Sequence, residues 1–254
     1  MEPIVLSGIV LVCVFGGALV GVVLRHRLPN HHLSDASKDT VKLATGVIAT
    51  MAALVLGLLV SSAKGSFDKM SDELTQAAVK VIQLDHALRS YGPETQPIRR
   101  ALHQHYLAAA DALATGDRAR LDQRQAAATT ASIGGMQDAI RALAPRDDAQ
   151  RELRAQALAL AEESSANRWL LVLQRHTSVS MPMVVVVVAW LALIFVGFGL
   201  FAPTNGTVFT ALLLCATSVA GAMFLILEMD EPFGGIVRLS DVPMRRALEI
   251  LGGG

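Results

Sequence analysis

Acidic residues are concentrated at the carboxyl end of the last apolar segment, within the sequence LILEMDEPFGG. Glu228, Asp230 and Glu231 occupy three of four consecutive positions, and Asp241 follows after a glycine turn. Carboxylate oxygens are the ligands that a hard cation such as Ca²⁺ prefers, so the pattern predicts a cation site at these residues. The alternative is a solvated acidic helix end that pairs with nearby basic side chains, because carboxylates at a helix C-terminus oppose the macrodipole.

No catalytic motif accompanies this acidic cluster. The sequence lacks the GxSxG, HExxH, P-loop and CxxC patterns. His103 and His105 fall on different faces of a predicted helix, and the loop histidines His26, His31 and His32 have a spacing that fits no standard metal site. We therefore predict that the protein is not an enzyme. The formal net charge of zero gives no indication of nucleic-acid binding.

Four uncharged, apolar segments are long enough to cross a membrane. A helix rises about 1.5 Å per residue and the bilayer core is about 30 Å thick, so about twenty residues suffice. The segments are Ile4–Leu24, Leu43–Ala63, Met181–Phe201 and Thr207–Leu227. The first has no basic residue ahead of it, so we interpret it as a membrane span and not as a signal peptide. Cys13 and Cys215 both fall inside apolar segments, which argues against a disulfide framework or a zinc site.

The first span also contains Gly17 and Gly21, which form a GxxxG pair. This pattern allows two helices to approach closely in lipid, although glycine is also more frequent in membrane helices generally.

The second span continues into a charged amphipathic helix without an intervening helix breaker. The apolar stretch TGVIATMAALVLGLLVSSA is followed directly by Lys64. Beyond it, apolar residues recur at alternating steps of three and four, at Phe67, Met70, Leu74, Ala77, Val81, Leu84 and Leu88. Such a stripe is typical of a helix that packs along one narrow seam. Gly65 costs about 1 kcal/mol relative to alanine, so we predict one long helix over Val41–Leu88 that leaves the membrane.

The rest of the chain between the second and third spans is amphipathic and helical, with no strand signal. The third and fourth spans are joined by APTNG, a hairpin too short to hold a domain. The predicted fold class is therefore an all-α integral membrane protein with four transmembrane helices and a helical aqueous domain inserted between the second and third. The predicted divisions are 1–63 for membrane helices 1 and 2, 64–178 for the helical domain, 179–228 for membrane helices 3 and 4, and 229–254 for the acidic turn and a C-terminal amphipathic helix.

An even number of spans puts the amino terminus, the helical domain and the carboxyl terminus on one side of the membrane. Lysine and arginine residues near the membrane ends are more numerous on that side, which favours a cytoplasmic domain under the positive-inside rule. The first connection, with Arg25, Arg27, Lys38 and Lys42, favours the opposite orientation. We predict a cytoplasmic helical domain on the larger count.

Three stretches resemble a known family. EMDEPFGG followed by SDVPMRRALEIL resembles the acidic-Pro-Phe-Gly element and the amphipathic helix that trail the last span of bacterial bestrophins. LVLGLLVSSAKGSFDKMSDE resembles the bestrophin second span, and AAVKVIQLDHALRSYG resembles the middle region of the four-span bestrophin-like bacterial proteins. The resemblance implies a pentameric homo-oligomer in the bacterial inner membrane. It also implies a pore for small inorganic ions, anions by family, along the second span and a Ca²⁺ clasp at the acidic element.

Carried over residue by residue, the resemblance assigns the pore neck to Thr50, Leu54 and Leu58. We expect Ser61, Ser62 and Lys64 to lie where such a pore opens to water. The family's aromatic neck residues are replaced here by threonine and leucine, and the acidic run is shorter. A second hypothesis is a membrane-anchored scaffold whose helical domain binds a cytosolic partner. It is favoured by the lack of ionisable residues inside the spans, since transport routes often carry them.

Overall fold

The computed structural model of the protein describes residues 3–29, 35–115, 134–173, 180–203, 205–230 and 236–252. Within these ranges the regular structure is helical, and no strand is present. The helices are α1 (Pro3–Arg27), α2 (Asp35–Tyr91), a 3₁₀ turn (Pro93–Thr95), α3 (Gln96–Thr115), α4 (134–141), α5 (Asp148–Leu173), α6 (Met181–Phe201), α7 (Gly206–Asp230) and α8 (Val242–Gly252). Helices α1, α2, α6 and α7 are long and apolar enough to cross a membrane, which confirms the predicted fold class.

Helix α2 runs without interruption from Asp35 to Tyr91, so the prediction of one long helix is confirmed. Gly65 lies in its interior, and no atom lies within 4 Å of the place where a Cβ would be. The predicted apolar seam is also confirmed in its second half, because Leu84 and Leu88 are buried with exposed fractions of 2% and 0%. A single weak helix former is therefore tolerated within a helix that is packed elsewhere along its length.

The chain divides into two compact units. The first comprises Met1–Phe67 and Thr177–Glu231, and therefore contains α1, the first half of α2, α6 and α7. The second comprises Asp68–His176 and Pro232–Gly254, with the second half of α2, α3, α4, α5 and α8.

Glycines bring α1 and α6 into backbone contact in the first unit. A Cβ on Gly17 would lie 2.7 Å from the carbonyl oxygen of Ala192, and a Cβ on Gly199 would lie 2.9 Å from the carbonyl carbon of Ala18. A Cβ on Gly21 would lie 2.8 Å from the backbone nitrogen of Leu200. The close-packing role predicted for the GxxxG pair is therefore confirmed, with Gly17 against Ala192 and Gly21 against Gly199 and Leu200 on α6.

The ends of these helices are held at the hairpin between α6 and α7. The Arg25 guanidinium donates a hydrogen bond to the carbonyl oxygen of Ala202, just beyond the last turn of α6. The side-chain oxygen of Asn205 accepts from the backbone N–H of Val208 at 3.0 Å and caps α7. In the same unit, Phe15 meets Phe209 edge to face with ring centroids 5.5 Å apart, which joins α1 to α7.

Every helix of the second unit contributes to one apolar core. Its members include Leu84, Leu88, Leu102, Tyr106, Ile140, Ala157, Met244, Ala247 and Leu251. A half-buried ion pair joins α2 to α3, where Arg99 Nε lies 2.7 Å from Asp85 Oδ1 and Arg99 Nη2 lies 3.0 Å from Asp85 Oδ2. The hydrogen bonds that Arg99 donates to Asp85 raise the pKa of Arg99 above its ordinary value, against the opposing effect of desolvation. A basic group whose pKa is higher in the folded state than in the unfolded state stabilises the fold fully at any pH below the unfolded-state pKa. The stability that Arg99 contributes in this way is therefore constant across the neutral pH range.

Candidate pore-lining face and acidic helix end

One face of α2 packs inside the first unit. Ala52, Leu59 and Ala63 are exposed by only 2%, 2% and 0%. They follow one another at intervals of seven and four residues, so they lie on one side of the helix. The sequence analysis did not single out this face. The signal was present as alanines at helical spacing, but alanines are common throughout the span and do not mark one face by themselves.

The predicted pore-lining residues lie on the uncovered part of α2. Thr50, Leu54, Leu58, Ser61 and Ser62 are all exposed, with Leu54 at 71% and Leu58 at 59%. At 3.6 residues per turn, Thr50, Leu54 and Leu58 fall within about 80° of one another around the helix axis. The structure therefore brings the three neck residues onto one face, on the far side of the helix from its buried contacts.

The hydroxyl group of Thr50 does not depend on another helix for a hydrogen bond. Its Oγ1 lies 2.9 Å from the carbonyl oxygen of Gly46, one turn earlier in α2. Such a bond satisfies the hydroxyl donor inside its own helix, so Thr50 can lie in an apolar or a wet environment. Gly46 and Gly57 lie on the same uncovered side, and neither has an atom within 4 Å of its Cβ position.

Helix α2 differs from the other spans in how little of it is covered. In its most apolar window 11% of the residues are buried, against 33% in each of α1, α6 and α7. The exposed large residues of this window include Met51, Leu54, Leu58 and Val60. In one chain, α2 is thus attached to the first unit by a narrow stripe and presents the rest of its surface outward.

The acidic residues of the predicted cation site are distributed over both units. Glu228 is 2% exposed, beside Ile226 and Leu227 at the end of α7, and Asp230 is half-buried. Both belong to the first unit, whereas Asp241 belongs to the second. Glu231 lies outside the described residues.

Asp241 lies directly before α8 and has a basic partner in the first turn of that helix. Its Oδ2 lies 2.6 Å from Nε of Arg245, one turn further along α8. In the part of the chain that the structure describes, no group of three or more histidine, cysteine, aspartate or glutamate side chains is close enough to hold a metal ion. The cation site therefore stays a prediction. One of its four predicted ligands, Glu231, lies outside the described residues.

Four long apolar helices and an all-helical second unit define a multi-pass membrane protein of the all-α class. A family model described as Bestrophin-like domain matches residues 12–244, from α1 to α8. The chain therefore belongs to the bestrophin-like family, as its motifs indicated. Neither the curated proteins nor the solved structures that were compared include a significant match.

Proposed function

We propose that the protein is a homo-oligomeric channel, a pentamer by analogy with its family, that conducts small inorganic ions along α2. The family's anion preference is the expected selectivity. The observation that carries this proposal is the uncovered face of α2, which holds Thr50, Leu54, Leu58, Ser61 and Ser62. We propose further that it works in a bacterial inner membrane without enzymatic activity.

The composition of this face supports a pore over a surface that only meets lipid. It combines large aliphatic residues with glycine and hydroxyl side chains, including Gly46, Gly57 and Ser61. Small residues allow a second helix to approach closely in a membrane, and hydroxyl groups gain from contact with water. Copies of α2 arranged around one axis would satisfy both requirements at once.

Leu54 and Leu58 supply the constriction in this proposal. Rings of leucine from several copies form a narrow apolar passage, which gates ion flow by losing its water. Ser61 and Ser62 lie one turn further along, where the pore opens. No basic residue lies at the neck positions Thr50, Leu54 and Leu58 themselves, so anion preference in the neck has to arise from pore width and from hydroxyl and backbone dipoles. The exposed Lys64 lies beyond them on the same side of α2, near Ser61, where the pore is proposed to open.

The second unit is proposed to lie in the cytoplasm, and the acidic end of α7 is proposed to bind a cation. Glu228 and Asp230 already lie on the last turn of one helix, and Glu231 follows directly. A divalent ion such as Ca²⁺ would offset negative charge at a helix C-terminus, where carboxylates oppose the macrodipole. Glu228, Asp230, Glu231 and Asp241 remain the proposed ligands, with a latch between helices as their role.

The test is ion flux through the purified full-length protein in liposomes under anion and cation gradients, with and without Ca²⁺. The double variant Leu54→Ala/Leu58→Ala should conduct several-fold faster because the apolar constriction is widened. A matched control is Leu193→Ala/Leu214→Ala, which removes two leucines that are 56% and 64% exposed on α6 and α7. The control should conduct at the wild-type rate.

Native mass spectrometry of the same preparations gives the number of subunits. A closed ring that conducts, with the neck variant faster than the control, supports the channel. Equal flux in both double variants would remove the neck assignment. A folded monomer or dimer with no flux under any gradient would favour the membrane-anchored scaffold, whose helical unit recruits a cytosolic protein.

A further inference from the structure

The outer face of α1 carries a shallow apolar groove that ends in an arginine. Leu19, Val20, Val23, Leu24 and Arg27 line it, and its volume is about 320 Å³. Val20 and Val23 are exposed by 58% and 55%, and Leu19 and Leu24 by 39% and 40%. Val20, Val23, Leu24 and Arg27 follow one another at helical spacing, so the groove runs along one side of the helix. We refer to these five residues as the α1 groove.

The α1 groove covers the part of one bilayer leaflet that is nearer to the headgroups. The predicted span Ile4–Leu24 is centred near Val14, so Leu19 lies about halfway between the middle of the membrane and the edge of its apolar core. Leu24 ends the uncharged segment, so Arg27 is expected at the level of the headgroups. An acyl chain that follows the groove would place its phosphate beside the guanidinium.

The arginines at the end of α1 have different environments. Arg25 is engaged with the carbonyl oxygen of Ala202, which fixes it on the protein side of the helix. Arg27 is exposed at the end of the α1 groove, and no carboxylate in the described part of the chain pairs with it. Lys42 lies at the start of α2 and its ammonium is 3.8 Å from Asp39 Oδ1. Arg27 is thus a cation at the headgroup level without an anionic partner from the described residues.

We propose that the α1 groove binds one anionic phospholipid, with the acyl chain along Val20 and Val23 and the phosphate on Arg27. A guanidinium presents several hydrogen-bond donors to a phosphate. The negative headgroup would pair with the positive charge of Arg27, for which the described residues provide no carboxylate. Zwitterionic lipids occupy the groove more weakly, because their own ammonium group offsets the attraction. The site is independent of conduction, so it holds for a channel and for a scaffold alike.

Native mass spectrometry of the full-length protein in detergent, with equimolar phosphatidylglycerol and phosphatidylcholine, tests the proposal. The wild-type protein should retain phosphatidylglycerol in preference to phosphatidylcholine. Arg27→Gln should weaken that retention about five-fold, the usual effect of one basic residue near an anionic lipid surface, and Arg27→Lys should keep most of it. Lys42→Gln is the matched control and should bind as wild type does.

Further arms identify what occupies the groove. Val23→Asn should weaken retention of both lipids, because the acyl chain loses an apolar contact, and glycerol 1-phosphate without acyl chains should not displace phosphatidylglycerol. Unchanged retention in Arg27→Gln, an equal loss in Lys42→Gln, or displacement by glycerol 1-phosphate would each overturn the proposal. The last result would indicate a site for a free phosphate.

Discussion

Near the turn after α2 there are two buried hydroxyl groups, of which one is hydrogen-bonded and the other has no partner among the described residues. Thr95 is fully buried, and its Oγ1 lies 2.5 Å from the carbonyl oxygen of Leu88 and 2.8 Å from that of Gly92. The hydroxyl group of Tyr91 is also buried, but no hydrogen-bond partner for it lies within the described residues. Gly92 adopts φ 137°, a backbone conformation that favours glycine and lets the chain reverse here. Thr95 therefore stabilises the turn by bonding, whereas Tyr91 contributes through its ring.

This contrast predicts different effects of removing each hydroxyl group. Thr95→Val should lower the unfolding free energy by about 1–2 kcal/mol, since the carbonyl oxygen of Leu88 loses the hydrogen bond from the Thr95 hydroxyl. Tyr91→Phe should leave it unchanged or raise it slightly, because an unpaired buried hydroxyl is costly. Thermal unfolding of the full-length protein in detergent measures both variants against wild type. A loss in Tyr91→Phe as large as in Thr95→Val would contradict the assignment.

At the scale of elements, the first unit depends on how closely its helices can approach. Gly17, Gly21 and Gly199 have backbone atoms of the neighbouring helix where a side chain would begin. Gly16 lies beside Gly17 in sequence but has no atom within 4 Å of its Cβ position. The spans therefore contain glycines that are required for packing and glycines that are not.

Gly199→Ala should destabilise the first unit, because the methyl group would overlap the backbone of α1 at Ala18. Overpacking of this kind costs about 1–3 kcal/mol. Gly16→Ala makes the same chemical change in open space and should be neutral or stabilising, as alanine favours helix over glycine. The apparent unfolding midpoints of the two variants in detergent decide the point. Equal midpoints would mean that α1 and α6 do not pack through Gly199.

At the scale of the whole molecule, an even number of spans predicts that the second unit and both chain ends lie on one side of the membrane. Which side that is depends on the charges next to the spans, because the hydrophobic spans themselves are compatible with either orientation. The connection after α1 holds Arg25, Arg27, Lys38 and Lys42, and the opposite side holds a larger number of basic residues. On the larger number, a cytoplasmic location is proposed for the second unit.

Reporter fusions test this orientation. A fluorescent protein that matures only in the cytoplasm, fused after Gly254, should fluoresce, and alkaline phosphatase inserted after Pro203 should be active in the periplasm. The reverse pattern would mean that the four basic residues of the first connection outweigh the others. It would also place the neck opening at Ser61 and Ser62 towards the periplasm.

The helices and their ends could be predicted because their signals are local. Charge-free length marked the spans, and the three-four spacing of Leu84 and Leu88 marked the seam of α2. Asp147, directly before α5, is a typical N-cap residue, and its Oδ1 accepts from the backbone N–H of Gln150 at 2.7 Å. Capping residues and hydrophobic periodicity act on neighbours within one or two turns, so the sequence alone determines them.

The tertiary structure decided which side of each helix packs against which neighbouring helix. Gly21 meets Gly199 although the two are distant in sequence, and Asp85 pairs with Arg99 across a turn. Likewise, α2 is amphipathic in its second half but apolar on all sides in its first, so periodicity did not select Ala52, Leu59 and Ala63 as the buried face. In an all-apolar helix every side satisfies the same local preference, and the choice among them depends on the shapes of helices that are distant in sequence.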